Sequence, residues 1–140
     1  MLNVIDLGII AAVRDHGPEV TIDVTPTFVG CPALELMRER IREAVSAATG
    51  TSVVVNVVYD PPWTSDRISE EGRRKLREFG FAPPSGAPLC GSATVDLEHV
   101  RCPWCNSGET DLDSIFGPTL CRSLHFCRSC RQSFEHFKPV

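Results

Sequence analysis

Hydrophobic and polar residues alternate from Val20 to Thr25, with the apolar side chains two positions apart. This period is typical of a β-strand that buries one face. Residues 16–18 are turn formers, so the segment 9–13 before them is predicted to be the hairpin partner of this strand. Pro26 has no backbone N–H to donate, so we expect the strand to end there or to lie at a sheet edge.

A period of three to four residues follows over positions 34–48 and predicts an amphipathic α-helix. Pro32 suits the first helical turn, and Gly50 suits the C-terminal cap. We therefore expect Cys31 to occupy the N-cap position of this helix. The periodic apolar residues are expected to face the core: Leu34, Met37, Ile41, Ala44, Val45 and Ala48.

Residues 53–59 are almost all β-branched or aromatic, which favours a central strand buried on both faces. Two prolines directly after this segment end the strand. Ser69 is predicted to cap a short helix that ends at Gly80, with acidic residues in its first turn. The basic residues near its end are interpreted as a solvent-exposed helix end that matches the helix dipole, with a binding patch as the less favoured alternative: Arg73, Arg74, Lys75 and Arg77.

The segment 81–88 contains three prolines and a glycine and is predicted to hold neither helix nor strand. It divides the chain into an α/β (α+β) domain at residues 1–81, with a small mixed sheet and packed helices, and a C-terminal β-rich module at residues 99–140. Residues 82–98 form the predicted linker. In the C-terminal module, short β-prone segments lie between turn residues, at 112–116, 120–126 and 134–137.

The chain has 140 residues, 42% of them hydrophobic, and a net charge of −4. Residues 1–80 carry nine basic and twelve acidic side chains, and residues 81–140 carry five and six. Neither part has the basic excess typical of nucleic-acid binding, so we expect protein or small-molecule partners and no nucleic acid. No stretch approaches the roughly 18–20 apolar residues of a membrane span, and the start lacks the basic segment of a secretory signal. We therefore expect a cytoplasmic protein without membrane association.

Two Cys-x-x-Cys pairs stand in the C-terminal module, Cys102 with Cys105 and Cys127 with Cys130, with 21 residues between the pairs. Two residues between cysteines allow a tight turn to aim both sulfurs at one point, and a second pair completes a tetrahedral cage. The spacing predicts a structural Zn²⁺ site that joins two hairpins into a zinc ribbon. Because so small a module buries little apolar surface, metal binding and folding are expected to be coupled.

Two other interpretations of these four thiols stay open. One is a pair of disulfides, although structural disulfides are uncommon in a reducing compartment. The other is iron, because sulfur ligation alone does not exclude it. Cys90 lies in the linker and is expected to be passive, and Cys121 is expected to belong to the ribbon core, because tetrahedral zinc needs no fifth sulfur. The aromatic residues of the module are expected to cover the metal core: Trp104, Phe126, Phe134 and Phe137.

Cys31 is the candidate functional thiol of the first domain. At a helix start it would face free backbone N–H groups and the positive end of the helix dipole, and both favour the thiolate form. Gly30 before it allows close approach of a ligand or of another backbone. Such a thiolate could act as a nucleophile, a metal ligand or an iron–sulfur ligand. The alternative is a buried cysteine that only packs under the helix.

Nucleophilic catalysis by Cys31 would need a base within reach. His16 is the only histidine of the first domain, and the sequence does not place it near Cys31. An accessory role is therefore favoured over an enzymatic activity of the chain itself, and no catalytic residue is assigned. Ligation of a metal or cluster needs no base, but one thiol cannot hold a cluster alone. A second Cys31 in a homodimer, or the cysteines of a client protein, would complete the ligand set.

Five motifs follow one another through residues 3–80: VIDLGII at 4–10, VTPT at 24–27, GCPA at 30–33, VYDPPWT at 58–64 and DRISEE at 66–71. In this order they resemble the SufT-like family of iron–sulfur cluster assembly factors. With the four-cysteine ribbon added, including Cys121, the whole chain is similar to the PaaD (PaaJ) family. These are small accessory subunits encoded with the bacterial phenylacetyl-CoA epoxidase.

The resemblance implies a compact SufT-like α/β domain whose Gly-Cys-Pro thiol is exposed at a helix start, so Cys31 would inherit the functional role. It also implies that Asp6 and Thr25, which fall in motif positions near the thiol, support it. The family usually opens with an Asp-Pro-Glu segment, and this chain starts after it. The N-terminal part of the thiol pocket is therefore expected to be missing or differently built. No Glu-x-x-His pair that could build a di-iron site is present in the sequence.

The resemblance further implies an accessory protein of phenylacetate degradation. Its role would be to mature or deliver the iron–sulfur cluster of the reductase component of the oxygenase through Cys31, with the zinc ribbon docking that client. The expected cofactors are then a structural Zn²⁺ and a transient iron–sulfur cluster. The alternative function is a structural or interaction subunit that docks partners through the zinc ribbon without cluster chemistry.

Overall fold

The computed structural model describes residues 2–84 and 95–138, without the side chains of residues 95 and 96. The chain forms two compact units. One runs from Gly8 to Trp63, and the other combines the segment up to Leu7 with the chain from Thr64 onward. The N-terminal segment therefore belongs to the same unit as the cysteine-rich module. Among the described helices, none is long and apolar enough to cross a membrane.

A three-stranded mixed sheet forms the framework of the 8–63 unit. Its strands are β1 (Ile10–Asp15), β2 (Glu19–Val24) and β3 (Ser52–Val57), in the order β1-β2-β3. β1 pairs antiparallel with β2, which confirms the predicted hairpin, and β2 pairs in parallel with β3. β2 ends two residues before Pro26, as expected from the missing N–H of that proline.

The valine-rich segment forms the edge strand β3, so the prediction of a central strand buried on both faces is wrong. Val53 and Val55 are buried, whereas Val54 between them is 38% exposed. This alternation indicates that one face of β3 is covered, and α1 (Leu34–Thr49) packs against the strand. β-branched residues suit any pleated surface, so their abundance does not separate an edge strand from a central one.

Helix α1 links the parallel strands β2 and β3 and is capped at its C-terminus by Gly50, whose φ of 69° is left-handed, as predicted. Its start differs from the prediction. The N-cap residue is Ala33, without a side-chain capping bond, so the expected N-cap position of Cys31 is wrong. The Leu34 N–H donates to the Cys31 carbonyl (3.2 Å), which forms a tight turn before the helix. Of the predicted apolar face only Ile41 is buried, because α1 packs on one small sheet.

In the other unit, a 3₁₀ helix at Ser65–Arg67 precedes helix α2 (Glu70–Glu78). The Ser69 Oγ accepts the N–H of Gly72 (2.9 Å), which confirms the predicted cap. The N-terminal segment contacts this first turn, because the Ser69 N–H donates to the Asp6 carbonyl (2.9 Å). A Cβ on Gly72 would lie 2.4 Å from the same oxygen, so only glycine fits at this close approach.

The C-terminal module contains a four-stranded sheet in the order β4-β7-β6-β5. Its strands are β4 (Phe81–Ala82), β5 (Thr110–Ser114), β6 (Arg122–Cys127) and β7 (Ser133–Phe137). β5, β6 and β7 pair antiparallel in sequence, and β4 joins β7 in parallel. The predicted α/β fold class with a C-terminal β-rich module is therefore confirmed.

The predicted linker at 82–98 lies partly outside the described residues. At its edges, Ala82 belongs to strand β4, and Val95–Glu98 form the short helix α3. The expectation that the stretch from residue 81 holds no strand is wrong at this point, because Phe81 and Ala82 precede the first proline and can still pair with β7. The domain boundaries themselves stay a prediction.

Candidate functional site

The sulfur atoms of the two Cys-x-x-Cys pairs converge on one point. All four Sγ atoms, those of Cys102, Cys105, Cys127 and Cys130, lie within 4.8 Å of one another. The pairs interleave, with 3.6 Å between the sulfurs of Cys102 and Cys130 and 3.6 Å between those of Cys105 and Cys127. Each Cys-x-x-Cys pair thus contributes two ligand atoms to a single cluster.

Both pairs are shaped by the same backbone turn. The N–H of Cys102 donates to the Ser107 carbonyl (3.0 Å), and the N–H of Asn106 donates back to the Cys102 carbonyl (2.9 Å). In the second turn Cys127 bonds to Gln132 (2.9 Å) and Arg131 to Cys127 (2.9 Å) in the same pattern. Asn106 and Arg131 both have a φ of 60°. Each turn therefore needs one left-handed residue four positions after its first cysteine, a requirement that no glycine in the sequence indicates.

The cluster fits a tetrahedral zinc ion. A Zn–S bond of about 2.3 Å sets sulfurs about 3.8 Å apart in a tetrahedron, close to the observed 3.6 Å. A disulfide would need about 2.05 Å between sulfurs, and all four cysteines are free thiols. The disulfide interpretation is therefore not supported, and the residues form a metal-binding site whose ligand set and geometry suit zinc.

Without a metal ion, the thiols of the cluster hold their protons unequally. Hydrogen bonding from the Cys130 N–H lowers the pKa of the Cys127 thiol to about 7. Burial raises the pKa of Cys102 and raises that of Cys130 to about 12. A metal ion that binds these sulfurs must displace their protons, so metal binding supplies the charge that lets four sulfurs approach one another as thiolates.

Packing around the cluster differs partly from the prediction. Phe134 is buried beside Cys102 and Cys127, together with Ala82 and Val100, so one predicted aromatic does cover the metal core. Trp104 does not, because it is 54% exposed. Its ring lies against Gly80, where an added Cβ would be 2.2 Å from the indole.

A buried polar network behind the cluster was not anticipated from the sequence. Ser123, His125 and His136 are each at most 1% exposed. The Ser123 Oγ lies 2.9 Å from the His125 Nε2 and 3.5 Å from the His136 Nδ1. Burial lowers the pKa of His125, and it lowers that of His136 to about 3. The alternation of β6 places Ser123 and His125 on its buried face, and His136 is a buried position of β7. The period of two in β6 is the signal that could have identified the first two residues.

Cys31 lies in the loop between β2 and α1, and it is partly exposed. Its N–H donates to the Phe28 carbonyl and its carbonyl accepts from Leu34, both at 3.2 Å. Val29 before it is 76% exposed, and Pro32 after it is also exposed. The thiol therefore stands in an open turn and is not enclosed in the core.

The two predicted supporting residues are placed differently. Thr25 follows β2 in the same unit as Cys31 and is buried, and its Oγ1 has no hydrogen-bond partner among the described residues. Asp6 belongs to the other unit, where its carboxylate accepts from the Lys75 Nζ (2.7 Å). Their support of the thiol stays a prediction.

Cys121 lies outside the metal site. Cys121 is partly buried, its sulfur lies 3.2 Å from the Thr119 Oγ1, and it is not among the four converging thiols. This agrees with the expectation that zinc needs no fifth sulfur. Cys90 lies outside the described residues.

Two family models match separate parts of the chain. The model described as an iron–sulfur cluster assembly protein matches residues 2–58, and the PaaD zinc β-ribbon domain matches residues 92–138. The second match contains all four converging cysteines, and the first contains Cys31.

Curated relatives extend these matches. An Escherichia coli K12 protein provisionally assigned as a subunit of 1,2-phenylacetyl-CoA epoxidase is 41% identical over 140 residues, covering 100% of this chain and 83% of the relative. A Porphyromonas gingivalis protein named Fe–S protein maturation auxiliary factor is 36% identical over 83 residues, or 57% of this chain and 75% of the relative. A crystal structure of a domain of unknown function, DUF59, from Bacillus anthracis has a TM-score of 0.50 at 27% identity over 53% of this chain and 73% of that one.

The similarities differ in how much of the chain they cover. The maturation factor covers 57% of the chain, whereas the relative from the epoxidase covers all of it, ribbon included. Together with the assembly-domain match, they support an accessory role in iron–sulfur cluster assembly. The full-length similarity and the ribbon match together show that the chain belongs to the PaaD family, which combines an iron–sulfur assembly domain with a zinc β-ribbon.

Proposed function

We propose that the chain is an accessory factor of a phenylacetyl-CoA epoxidase system that matures or delivers the iron–sulfur cluster of the reductase component. The observation that carries this proposal is the full-length similarity to a protein assigned to that epoxidase, combined with an iron–sulfur assembly domain that contains one partly exposed thiol. Two relatives that match 57% and 54% of the chain are named as Fe–S protein maturation auxiliary factors. The assembly-domain match at residues 2–58 supports cluster chemistry in the domain of Cys31, so the ribbon would have a separate task.

Cys31 is the proposed ligand for the cluster while it is in transit. The thiolate would bind one iron of the cargo and later be displaced by a cysteine thiolate of the client. Each sulfur gives up its proton on binding iron and recovers one on leaving, so the exchange needs no net electron transfer. A partly exposed thiol between exposed neighbours suits such an exchange, because both cargo and client can reach it. A second Cys31 in a homodimer or the client's own thiols would supply the remaining ligands.

The ribbon is the proposed docking module. Zinc would fix its hairpins, and the hairpin between β5 and β6 carries three large apolar residues that are about half exposed, namely Ile115, Phe116 and Leu120. An exposed apolar group on a rigid hairpin is a common element of protein interfaces. The same observation supports the alternative function, in which the ribbon docks partners and Cys31 carries no cluster.

Anaerobic cluster reconstitution separates the two functions. Wild-type protein and the Cys31→Ser variant are compared by their absorption spectra and by iron and sulfide content. The proposal expects a cluster on wild type, transfer of that cluster to the apo reductase component, and loss of both with Cys31→Ser. Cys121→Ser is the matched control, because it removes a partly buried thiol that is not among the converging cysteines. Normal loading of the reductase by Cys31→Ser would leave only the docking function.

Metal analysis of protein purified without added metal tests the ribbon assignment. We expect about one zinc per chain, colourless protein, and loss of the ribbon fold with chelation. Red protein with iron in the four-thiolate site would contradict the assignment, because sulfur ligation alone accommodates either metal.

A further inference from the structure

A cavity of about 680 Å³ lies within the unit that contains α2 and the ribbon, and none of the functions above uses it. Its lining includes three arginines, Arg73, Arg77 and Arg101, and one acidic side chain, Glu70. Its apolar wall comes from Val100 and from three prolines, at positions 83, 84 and 103. We propose that this cavity binds a small molecule that carries at least two phosphate groups, on the scale of a nucleotide.

The charges of α2 divide into two groups by their partners. Arg74 forms ion pairs with Glu71 (2.6 Å) and with Glu78, and Lys75 pairs with Asp6 (2.7 Å). These two cations are therefore neutralised by carboxylates. Arg73 and Arg77 form no ion pair among the described residues, and both line the cavity. Residues four apart lie on the same helix face, so α2 presents two uncompensated guanidinium groups to one recess.

Arg73 is held rigidly without losing its charge. Its Nη1 donates to the Pro84 carbonyl (2.6 Å) and its Nη2 donates to the Ser65 carbonyl (2.8 Å). Both acceptors are neutral, and the side chain is partly buried. A guanidinium group fixed by carbonyls is pre-organised for an anion, because little side-chain freedom remains to be lost on binding.

The third arginine, Arg101, lies beside the turn that contains Cys102 and Cys105. Arg101 directly precedes Cys102, and its Nη1 donates to the Asn106 carbonyl (3.2 Å) at the end of the same turn. The described residues include no ion pair for it either. Three guanidinium groups and one carboxylate line the cavity, and so does Cys102, whose metal site would carry a net negative charge with Zn²⁺ held by four thiolates. The attraction for an anion therefore comes from the three guanidinium forks themselves, which suit phosphate oxygens and can contact more than one phosphate group.

The shape of the cavity favours a small molecule over a protein segment. Its volume lies within the roughly 300–1,000 Å³ typical of small-molecule sites. The proline and valine side chains form an apolar wall on which the ring of a ligand can pack. An acidic peptide would instead need hydrogen-bond donors along an extended groove. The ligand class is therefore a phosphate-bearing molecule with an aromatic or apolar body.

Calorimetric titration of the zinc-loaded full chain tests the proposal, with ADP, inorganic pyrophosphate and adenosine as probes. We expect saturable binding of ADP, weaker binding of pyrophosphate, and no measurable binding of adenosine. Arg77→Ala and Arg101→Ala should each weaken ADP binding at least tenfold. Arg74→Ala, on the same helix but paired with carboxylates, should leave it unchanged. Zinc content and far-UV circular dichroism check that each variant is folded.

Three outcomes would overturn the proposal. The first is the absence of saturable ADP and pyrophosphate binding at millimolar concentration. The second is an equal effect of Arg77→Ala and Arg74→Ala, which would indicate general charge attraction. The third is tighter binding of a hexaglutamate peptide than of ADP, which would assign the cavity to an acidic protein segment. None of these outcomes depends on Cys31, so this proposal and the proposed function can fail separately.

Discussion

The four ribbon thiols and the single thiol of the 8–63 unit are held in opposite ways. The ribbon sulfurs are brought within 4.8 Å of one another by two copies of the same hydrogen-bonded turn. Cys31 stands in an open turn with exposed neighbours and no other described cysteine in its unit. A set of thiols on a rigid frame favours a permanent metal ion, whereas an accessible lone thiol favours ligand exchange. With the proposed function, the same type of side chain would serve two purposes in one chain, and the surrounding backbone would decide which.

Removal of one ribbon ligand should have the largest effect. Cys102→Ser is expected to lower the zinc content from about one ion per chain to near zero and to unfold the β5–β7 sheet, because zinc binding in such modules contributes on the order of 10 kcal/mol. Zinc analysis and amide hydrogen exchange measure both consequences. The amides of β2 and β3 should stay protected, since their unit does not contain the metal site.

Cys121→Ser serves as the control for this variant, because its sulfur is not among the converging thiols. Full zinc content and a native ribbon are expected. If Cys102→Ser retains zinc, or if both units unfold together, the ribbon does not depend on zinc independently of the 8–63 unit, and the prediction is wrong.

The metal site could be predicted from the sequence because its information is local. Two residues between Cys102 and Cys105, and again between Cys127 and Cys130, suffice to define a turn that aims both sulfurs. The hairpin of β1 and β2 and the Ser69 cap were predictable for the same reason. Each depends on a pattern within a few residues.

Features that depend on packing between distant segments could not be predicted. The valines of β3 favour a strand at an edge or a centre alike, and only the pairing with β2 decides. Cys31 has N-cap neighbours, but a tight turn at Pro32 and Ala33 delays the helix. The cavity beside α2 combines arginines from positions 73, 77 and 101, which no local pattern relates.

Two neighbouring valines on β3 test how the sheet stabilises the 8–63 unit. Val55→Ala should destabilise the protein by about 2–3 kcal/mol, because a side chain that is 2% exposed leaves a cavity. Val54→Ala, one residue away and 38% exposed, should cost no more than about 0.5 kcal/mol. Urea unfolding followed by circular dichroism measures the difference, and zinc content should not change. An equal loss of unfolding free energy in the two variants would instead indicate that β3 is buried on both faces.

The buried His136 should make the ribbon sensitive to acid. Its pKa is about 3 in the folded protein because burial disfavours the charged ring, with smaller contributions from His125 and Lys138. It is about 6.5 in the unfolded chain. Between these values the unfolded state binds more protons, so stability is complete above pH 6.5 and falls as the pH drops, by about 2 kcal/mol at pH 5. The charged groups that share the cavity with it are Glu70, Arg73, Arg77 and Arg101.

His136→Phe tests this dependence, because it keeps a ring in the same place without a titrating group. Unfolding free energies at pH 7, 6 and 5 are compared between wild type and variant. Both proteins lose zinc in acid, so this contribution cancels in the difference between them. The variant should be less stable at pH 7 and should lose about 2 kcal/mol less than wild type on going to pH 5. Parallel pH profiles would exclude His136 as the source of the acid sensitivity.

Cys31→Ser should produce the smallest change in stability and thereby the sharpest contrast with Cys102→Ser. The side chain is partly exposed in a turn and carries no described hydrogen bond from its sulfur, so the unfolding free energy should shift by no more than about 0.5 kcal/mol. Equilibrium unfolding and zinc analysis of both variants provide the comparison. A loss of several kcal/mol would mean that the Cys31 sulfur packs into the 8–63 unit as a structural residue. A stability close to that of wild type would instead allow any loss of cluster transfer to be assigned to the chemistry of this thiol, because the fold around it would be intact.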